Sequence, residues 1–255
     1  MLVVVIGRGH SGTRLASSTL SQSGVYMGPM NNSGDLVPAK KMYEAVSLAG
    51  NFVDYIGNSQ WDFSPLINSE VPKEFTKLVR EYLDPVLNSH HPKKGWKLPE
   101  TVLALPWIYK MFPEAYYIHW VRDPRGSTSG PHITDDLSKF NIKGSIMRPK
   151  FQIPSLSKKH IVWESIPHLK MTAKINERLE SWIYQEEIVR ATPKPKNFLK
   201  IKYEDFVLEQ NITMNILSNF LKMDLNKVQV LTENLKETAF CPNEVLKKYG
   251  YIKQL

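Results

Sequence analysis

The chain is poor in the groups that close off a fold covalently or bind a metal. Cys241 is its only cysteine among 255 residues, so there is no intramolecular disulfide and no cysteine-based zinc site. That usage fits a reducing, cytoplasmic setting. The histidines include His90-His91 and His119, and none has metal-ligand spacing with other ligand types, so no metal site is expected. No apolar stretch approaches the ~20 residues of a membrane span. The apolar run at the N-terminus lacks the basic segment and the length of a secretory leader, and Met1 abutting a strand is expected to leave little room for one. Repeats and low-complexity tracts are also absent.

Composition is that of an ordinary globular protein, with 42% hydrophobic and 23% charged residues. The length suits one domain, residues 1–255, with a full hydrophobic core. Lys and Arg number 33 against 25 Asp and Glu, a net charge of +8. A positive field of that kind favours anionic ligands, although a generally basic surface would give the same count.

The sharpest signal is at the start. Leu2 to Ile6 read as a buried strand and run into Gly7-Arg8-Gly9-His10-Ser11-Gly12-Thr13-Arg14, after which a helical pattern begins. Glycines there let the backbone approach an anion, and the helix N-terminus offers unpaired N–H groups. The spacing Gly7 to Gly12 is that of a P-loop, but Thr13 stands where the Lys belongs and Arg14 where the Mg²⁺-binding hydroxyl belongs. The loop is therefore suited to a phosphorylated ligand other than a metal-bound triphosphate.

Further strand-like runs lie at Ala115–Val121 and Phe198–Tyr203. Helical patterns cover roughly Arg14–Ser23, Pro38–Tyr55, Pro72–Asn88, Thr101–Met111, His168–Ala191 and Ile212–Lys222. This alternation argues an α/β fold of three layers, a central parallel sheet flanked by helices, with ligands at the carboxyl ends of the strands. Two such ends stand out: the loop after Ile6, and Arg122-Asp123-Pro124-Arg125 after Val121. Residues 126–167 lose periodicity and read as a long excursion over the active site.

Four landmarks occur in order: Gly9-His10-Ser11-Gly12-Thr13; Gly95-Trp96-Lys97-Leu98-Pro99 followed by a helix and Phe112-Pro113; Arg122-Asp123-Pro124-Arg125; and Tyr203-Glu204-Asp205-Phe206 with a helix ending Phe220-Leu221. Together they resemble the P-loop sulfotransferases that use 3′-phosphoadenosine 5′-phosphosulfate (PAPS), in particular bacterial carbohydrate and small-molecule sulfotransferases. The resemblance implies PAPS as co-substrate and no metal. It implies that Arg8, Gly9, His10, Ser11, Gly12, Thr13 and Arg14 hold the 5′-phosphosulfate, and that Arg122 holds the 3′-phosphate with help from Arg125. The usual serine eight residues beyond that arginine is Gly130 here, so Ser129 or Ser127 is the substitute. The usual Lys or Arg before Ser-Gly-Thr is His10, which as imidazolium would stabilise the leaving phosphate.

Lys97 is expected to face the transferred sulfate or the acceptor. The base that takes the acceptor proton is expected at Glu44 or Asp35, with Glu44 favoured; Asp35 would otherwise anchor the helix that follows it. Tyr203-Glu204-Asp205 is expected to serve structure. The acceptor implied is a hydroxyl of a glycan or other small molecule. The alternatives are a P-loop small-molecule kinase, which the missing Lys and hydroxyl disfavour, and a basic nucleic-acid-binding module, for which neither a basic helix nor an aromatic–basic interleave stands out.

Overall fold

The computed structural model describes residues 1–144, 167–228, 239 and 241–253. Its centre is a sheet of four parallel strands: β1 (Leu2–Ile6), β4 (Lys94–Lys97), β5 (Tyr116–Val121) and β6 (Phe198–Lys202), in the order β4-β1-β5-β6. β1 lies between two neighbours and is buried on both faces, which is why its sequence is an unbroken β-branched run instead of an alternating one. The two-residue period of the strand still sorts its side chains. Val4 and Ile6 enter one core, and Val3 and Val5 enter the other.

The first core is closed by α2 (Lys40–Gly50), α4 (Lys73–Leu87), α5 (Leu105–Met111) and α7 (Pro167–Ala191). Trp96, Trp107, Tyr117 and Tyr184 are among its large buried side chains. The second core lies beneath α1 (Thr13–Gln22) and α9 (Gln210–Leu221), with the short α8 (Tyr203–Leu208) leading from β6 into α9. Helices thus cover both faces of a parallel sheet, the three-layer arrangement expected from the alternation of strands and helices.

A short helix α3 (Ser64–Asn68), α6 (Pro124–Ser127) and a late α10 (Asn243–Lys248) complete the helices among the described residues. The helical reading of Pro38–Tyr55 runs too far. The helix stops at Gly50, and an antiparallel hairpin follows, β2 (Asp54–Gly57) and β3 (Gln60–Asp62). Its turn uses Asn58 and Ser59 at φ 50° and 53°, the left-handed pair that a tight hairpin demands. Thr101–Met111 is likewise divided into a 3₁₀ turn, Pro99–Ala104, and α5. Pro106 in the first turn of α5 sets the break, since its ring suits a helix start and not an interior.

The excursion after Gly126 is more packed than its sequence suggests. It begins with α6 and two 3₁₀ turns, Ile133–Asp135 and Leu137–Phe140. Leu137, Phe140 and Ile142 are buried in the first core. Residues 145–166 of the excursion lie outside the described residues.

Candidate active site

The loop between β1 and α1 turns on left-handed residues: His10 has φ 64° and Gly12 has φ 85°. No side chain caps α1, and its first turn carries no acid. The N–H groups there are thus left to an anion. Ser11 and Thr13 are both nearly buried against the loop. A Cβ at Gly12 would stand 2.3 Å from the Tyr203 ring, and one at Gly9 2.1 Å from the His132 ring. Glycine at both positions is what lets the two rings close on the loop.

Arg122 leaves the end of β5 and reaches the loop, donating from Nη1 to the His10 carbonyl at 3.1 Å. Its guanidinium lies 4.5 Å from the centre of the Tyr203 ring. Tyr203 is placed by the abrupt passage from β6 into α8, so the Tyr-Glu-Asp segment positions Arg122 and packs against the loop. Beside it, burial pushes the Glu204 carboxyl up, and that carboxyl accepts the Asp123 N–H at 2.9 Å. Arg125 is paired with Asp123 at 2.7 Å. Ser129 Oγ donates to the Gly126 carbonyl at 2.8 Å, whereas Ser127 Oγ is buried with no hydrogen-bond partner among the described residues.

Arg8 does not point at the cradle. It is 3% exposed and turned into the fold, where it donates to the carbonyls of Gly9 and Ser127 and pairs with Asp135. Asp135 also meets Arg178 of α7 at 3.7 Å. Burial depresses the Arg8 pKa, and the ion pair with Asp135 opposes that. Arg8 is a brace between the loop and the 127–135 segment. His10 turns its Nε2 to the Pro131 carbonyl at 2.8 Å. A carbonyl only accepts, so that nitrogen carries a proton.

On the other side of the loop, α1 carries the segment 31–35. Ser17 Oγ donates to the Gly34 carbonyl at 2.9 Å, and Arg14 Nη2 donates to Ser33 Oγ at 3.3 Å. Asn31 Oδ1 accepts the N–H groups of Ser33 and Asp35 and fixes the turn. Asp35 is thereby presented to Lys97 at the carboxyl end of β4, with Nζ 2.5 Å from Oδ1. Lys97 also donates to the Ser33 carbonyl at 3.0 Å. Burial lowers the Lys97 pKa, and Asp35 counters it.

Two titratable groups that the sequence did not single out border this pair. Glu100, in the 3₁₀ turn after Lys97-Leu98-Pro99, is 2% exposed. Burial pushes its carboxyl up to about 7, with Asp35 adding and Lys97 opposing. His132 has its Nε2 3.8 Å from Glu100 Oε1. Burial, then Arg8, His10 and Lys97, hold its imidazole down to about 3. The sequence carried a faint sign of its turn, since His132 and Asp135 form a capping box. Burial and then Glu100 and Asp35 raise the Tyr43 phenol to about 12.

Glu44 is not in this group. It lies on the outer face of α2, bonded to Lys41 at 3.3 Å, while Lys41 also meets Glu81 at 3.5 Å. It lines an open cleft of about 500 Å³ with Lys40, Tyr43, Ser47, Glu74 and Leu78. Of the two acids expected to serve as base, the fold brings Asp35 to the loop's side and leaves Glu44 at the surface. Among the described residues no cluster of His, Cys, Asp and Glu could hold a metal ion, and no helix is long and apolar enough to cross a membrane.

A model described as the sulfotransferase family matches residues 3–137, just over half of the chain. No curated protein matches. Among solved structures, the chain is similar to the sulfotransferase domain from the Synechococcus PCC 7002 olefin synthase, at 15% identity and a TM-score of 0.47, covering 99% of this chain and 88% of that one. It is also similar to the sulfotransferase STF9 from Mycobacterium avium, at 12% identity and a TM-score of 0.43, covering 91% of this chain and 65% of that one.

Proposed function

The chain belongs to the sulfotransferase family, and on that premise we propose that it transfers a sulfuryl group from PAPS to a hydroxyl of a glycan or other small molecule, without a metal. The observation that carries this reading is the pairing of two basic strand ends on one cradle. The uncapped N-terminus of α1 with Ser11 and Thr13 takes the 5′-phosphosulfate, and Arg122, laid over Tyr203 and bonded to the loop at His10, takes the 3′-phosphate. Ser127, whose buried hydroxyl has no other partner among the described residues, is the better candidate of the two serines to assist it.

PAPS supplies an activated sulfuryl group and a phosphate leaving group. The protein supplies orientation and charge. His10, Arg14 and the α1 N-terminus balance the charge that grows on the departing phosphate. Lys97 faces the sulfuryl oxygens, and Asp35, 2.5 Å from Lys97, takes the acceptor's proton. Asp35 is preferred to Glu44 as base because it sits on the loop side of α1, whereas Glu44 is committed to Lys41 at the surface. The remainder of the acceptor is accommodated beside α2 and the segment after Gly126. A cytoplasmic setting is consistent with the single cysteine.

Calorimetric titration with 3′-phosphoadenosine 5′-phosphate tests the reading. Binding below the millimolar range, unchanged by removing Mg²⁺ and competitive with PAPS, is expected. Tight binding of ATP that requires Mg²⁺ would instead indicate a kinase. Salt-sensitive affinity for random oligonucleotides, without affinity for the nucleotide, would indicate nucleic-acid binding.

A further inference from the structure

The net positive charge of the chain is not spread evenly. Segments 186–202 and 243–253 hold eight Lys and Arg against three Glu, so 28 of the 255 residues carry five of the eight net charges. The fold brings the two segments together where α10 packs on the end of α7 beside β6, an edge strand of the sheet among the described residues. Arg190 of α7 and Lys248 of α10 share one oxygen, Glu187 Oε1, at 3.5 and 3.2 Å. The Tyr249 hydroxyl donates to the same atom at 2.6 Å. Lys200 of β6 pairs with Glu186 at 3.1 Å, a carboxylate that His119 also meets at 3.3 Å. Two carboxylates thus face Arg190, Lys200 and Lys248, and Lys202 with the exposed Lys194 and Lys196 before β6 adds to the excess.

Like charges gathered in this way repel one another and cost stability unless an anion meets them. Lysines on an edge strand guard it against pairing with other chains. That accounts for Lys200 and Lys202, but not for Arg190 and Lys248, which lie on helices.

We propose that this face docks a polyanionic polysaccharide, one that bears sulfate or carboxylate groups along its length. The docking is separate from sulfotransfer and does not depend on it. β6 and β4 are opposite edges of the sheet, so a chain held along β6 lies across the sheet from Lys97 and Asp35.

Two features select this chemistry. First, the rings of the face are already engaged by the protein's own cations. Lys194 lies 5.1 Å from the centre of the Phe198 ring and Lys202 5.3 Å from that of Tyr251, while Arg190 and Lys248 lie 5.4 and 5.3 Å from that of Tyr249. Both tyrosines also pack on Trp182, at 4.7 and 6.1 Å. A single-stranded nucleic acid stacks its bases on open aromatic faces, and these are taken. Second, a lipid surface is entered by apolar side chains. The large apolar side chains exposed among the described residues, such as Ile56, Leu208 and Ile212, lie outside both segments. What the face offers is charge at regular intervals, with the rings holding the cationic side chains in place. Lys200 and Lys202, two residues apart on one face of a strand, stand about 7 Å from one another, and repeated anionic groups on one chain can each meet a cation.

The test titrates the full chain with heparin, a sulfated probe, and polygalacturonate, a carboxylated one, at about 0.15 M salt, where charges more than about 8 Å apart are screened. Neutral dextran, single-stranded and duplex DNA, and phosphatidylserine vesicles are the comparisons. Binding to a charged polysaccharide, weakening steeply with salt and absent for dextran, is expected, and the two probes show which anionic group is preferred. It should persist when 3′-phosphoadenosine 5′-phosphate is in excess; displacement by the nucleotide would place the polyanion on the phosphate loop and overturn the proposal. K196Q/K202Q/K248Q should weaken it by about 10-fold or more, with melting temperature and nucleotide affinity unchanged. K73Q/K77Q/K93Q removes the same charge from exposed positions on α4 and before β4 and should bind nearly as the parent does. Equal losses in the two triple variants would reduce the effect to net charge and overturn the proposal. So would failure of both polysaccharides to bind at that salt, or tighter binding of DNA or vesicles. If K196Q/K202Q/K248Q does not fold, the single exposed variant K196E decides, since it must still weaken the polysaccharide. A parent that binds polysaccharide but not the nucleotide refutes the sulfotransfer reading and leaves the docking face standing.

Discussion

Replacing Asp35 by Asn separates the base from its structural duties. The amide keeps the shape of the side chain and can still meet Asn31, but it cannot hold a proton from the acceptor. It also strips the counter-ion from Lys97, whose side chain is 4% exposed against 17% for Asp35. Breaking a fully buried pair costs about 3–5 kcal/mol because the survivor is left charged and unpaired. Here Asp35 is partly wetted, and Lys97 retains the Ser33 carbonyl at 3.0 Å, so a loss of about 1–3 kcal/mol is expected. Turnover should fall by about 10²–10⁴-fold. Because the two effects could be confused, the double variant D35N/K97M is the control: with no charge to strand, it should recover most of the melting temperature of the parent and none of the activity. The assay follows sulfated product by mass, on an acceptor found by screening sugars, glycolipids and phenols, with unfolding in urea measured alongside. Glu44→Gln is the companion variant, expected to stay within a few-fold of the parent. If D35N keeps parent turnover, or if Glu44→Gln is dead while folded, the assignment of the base is refuted.

Arg122→Ala should weaken 3′-phosphoadenosine 5′-phosphate by about 2–4 kcal/mol, since a phosphate loses its charge-assisted partner; adenosine 5′-phosphosulfate, which has no 3′-phosphate, should bind almost as before, and equal losses in calorimetry would deny Arg122 that contact. Asp135→Asn should act on stability, lowering urea resistance by about 3–5 kcal/mol through the stranded Arg8, with Arg178 losing its partner too; an unchanged unfolding midpoint would mean that the brace contributes nothing. Burial alone would raise the Glu186 carboxyl, but His119 at 3.3 Å and Lys200 at 3.1 Å overcome it and hold it at about 2. Its folded-state pKa is thus below the ordinary 4.5, so the stability it lends is complete above that value and is lost as pH falls toward about 2. Glu186→Gln should flatten the acid side of the stability profile, which urea unfolding at a series of pH values would show.

The sheet was legible because its strands obey simple rules. Leu2–Ile6 is too apolar for anything but a strand buried on both faces, and Tyr116–Val121 follows the same logic, whereas the edge strand Phe198–Lys202 alternates Leu199 and Ile201 with Lys200 and Lys202. β4 was harder. Lys94-Gly95-Trp96-Lys97 has charged ends and a glycine, and only the neighbouring strand makes it one. The hairpin 54–62 was hidden because its strands are only four and three residues long, and the turn at Asn58-Ser59 has no glycine at its two left-handed positions. Around the loop after β1, the glycine spacing and the strand-end Arg122 are local patterns that the sequence displays directly. Glu100 and His132 are not. Each is ordinary in its own segment, and their meaning comes from a contact across 32 residues of chain set by packing.

Arg8 shows how the backbone, and not residue type alone, sets where a side chain is turned. A guanidinium two residues into a phosphate loop suits an anion by chemistry, and its neighbours Arg14 and Arg122 do border the cradle. The backbone decides otherwise. Gly7 at φ 147° and His10 at φ 64° swing the intervening residues so that Arg8 faces inward, onto Asp135 and the carbonyls of Gly9 and Ser127. Once there it cannot leave cheaply, since moving it would strand Asp135 between Arg178 and an empty space. The same Asp135 accepts the His132 N–H at 2.7 Å, so the brace that fixes the floor of the loop also fixes the histidine that packs on Gly9 and faces Glu100. Loss of Arg8 would therefore reach catalysis through the placement of His132 before it reached the phosphate through charge, and its effect on kcat should exceed its effect on nucleotide affinity.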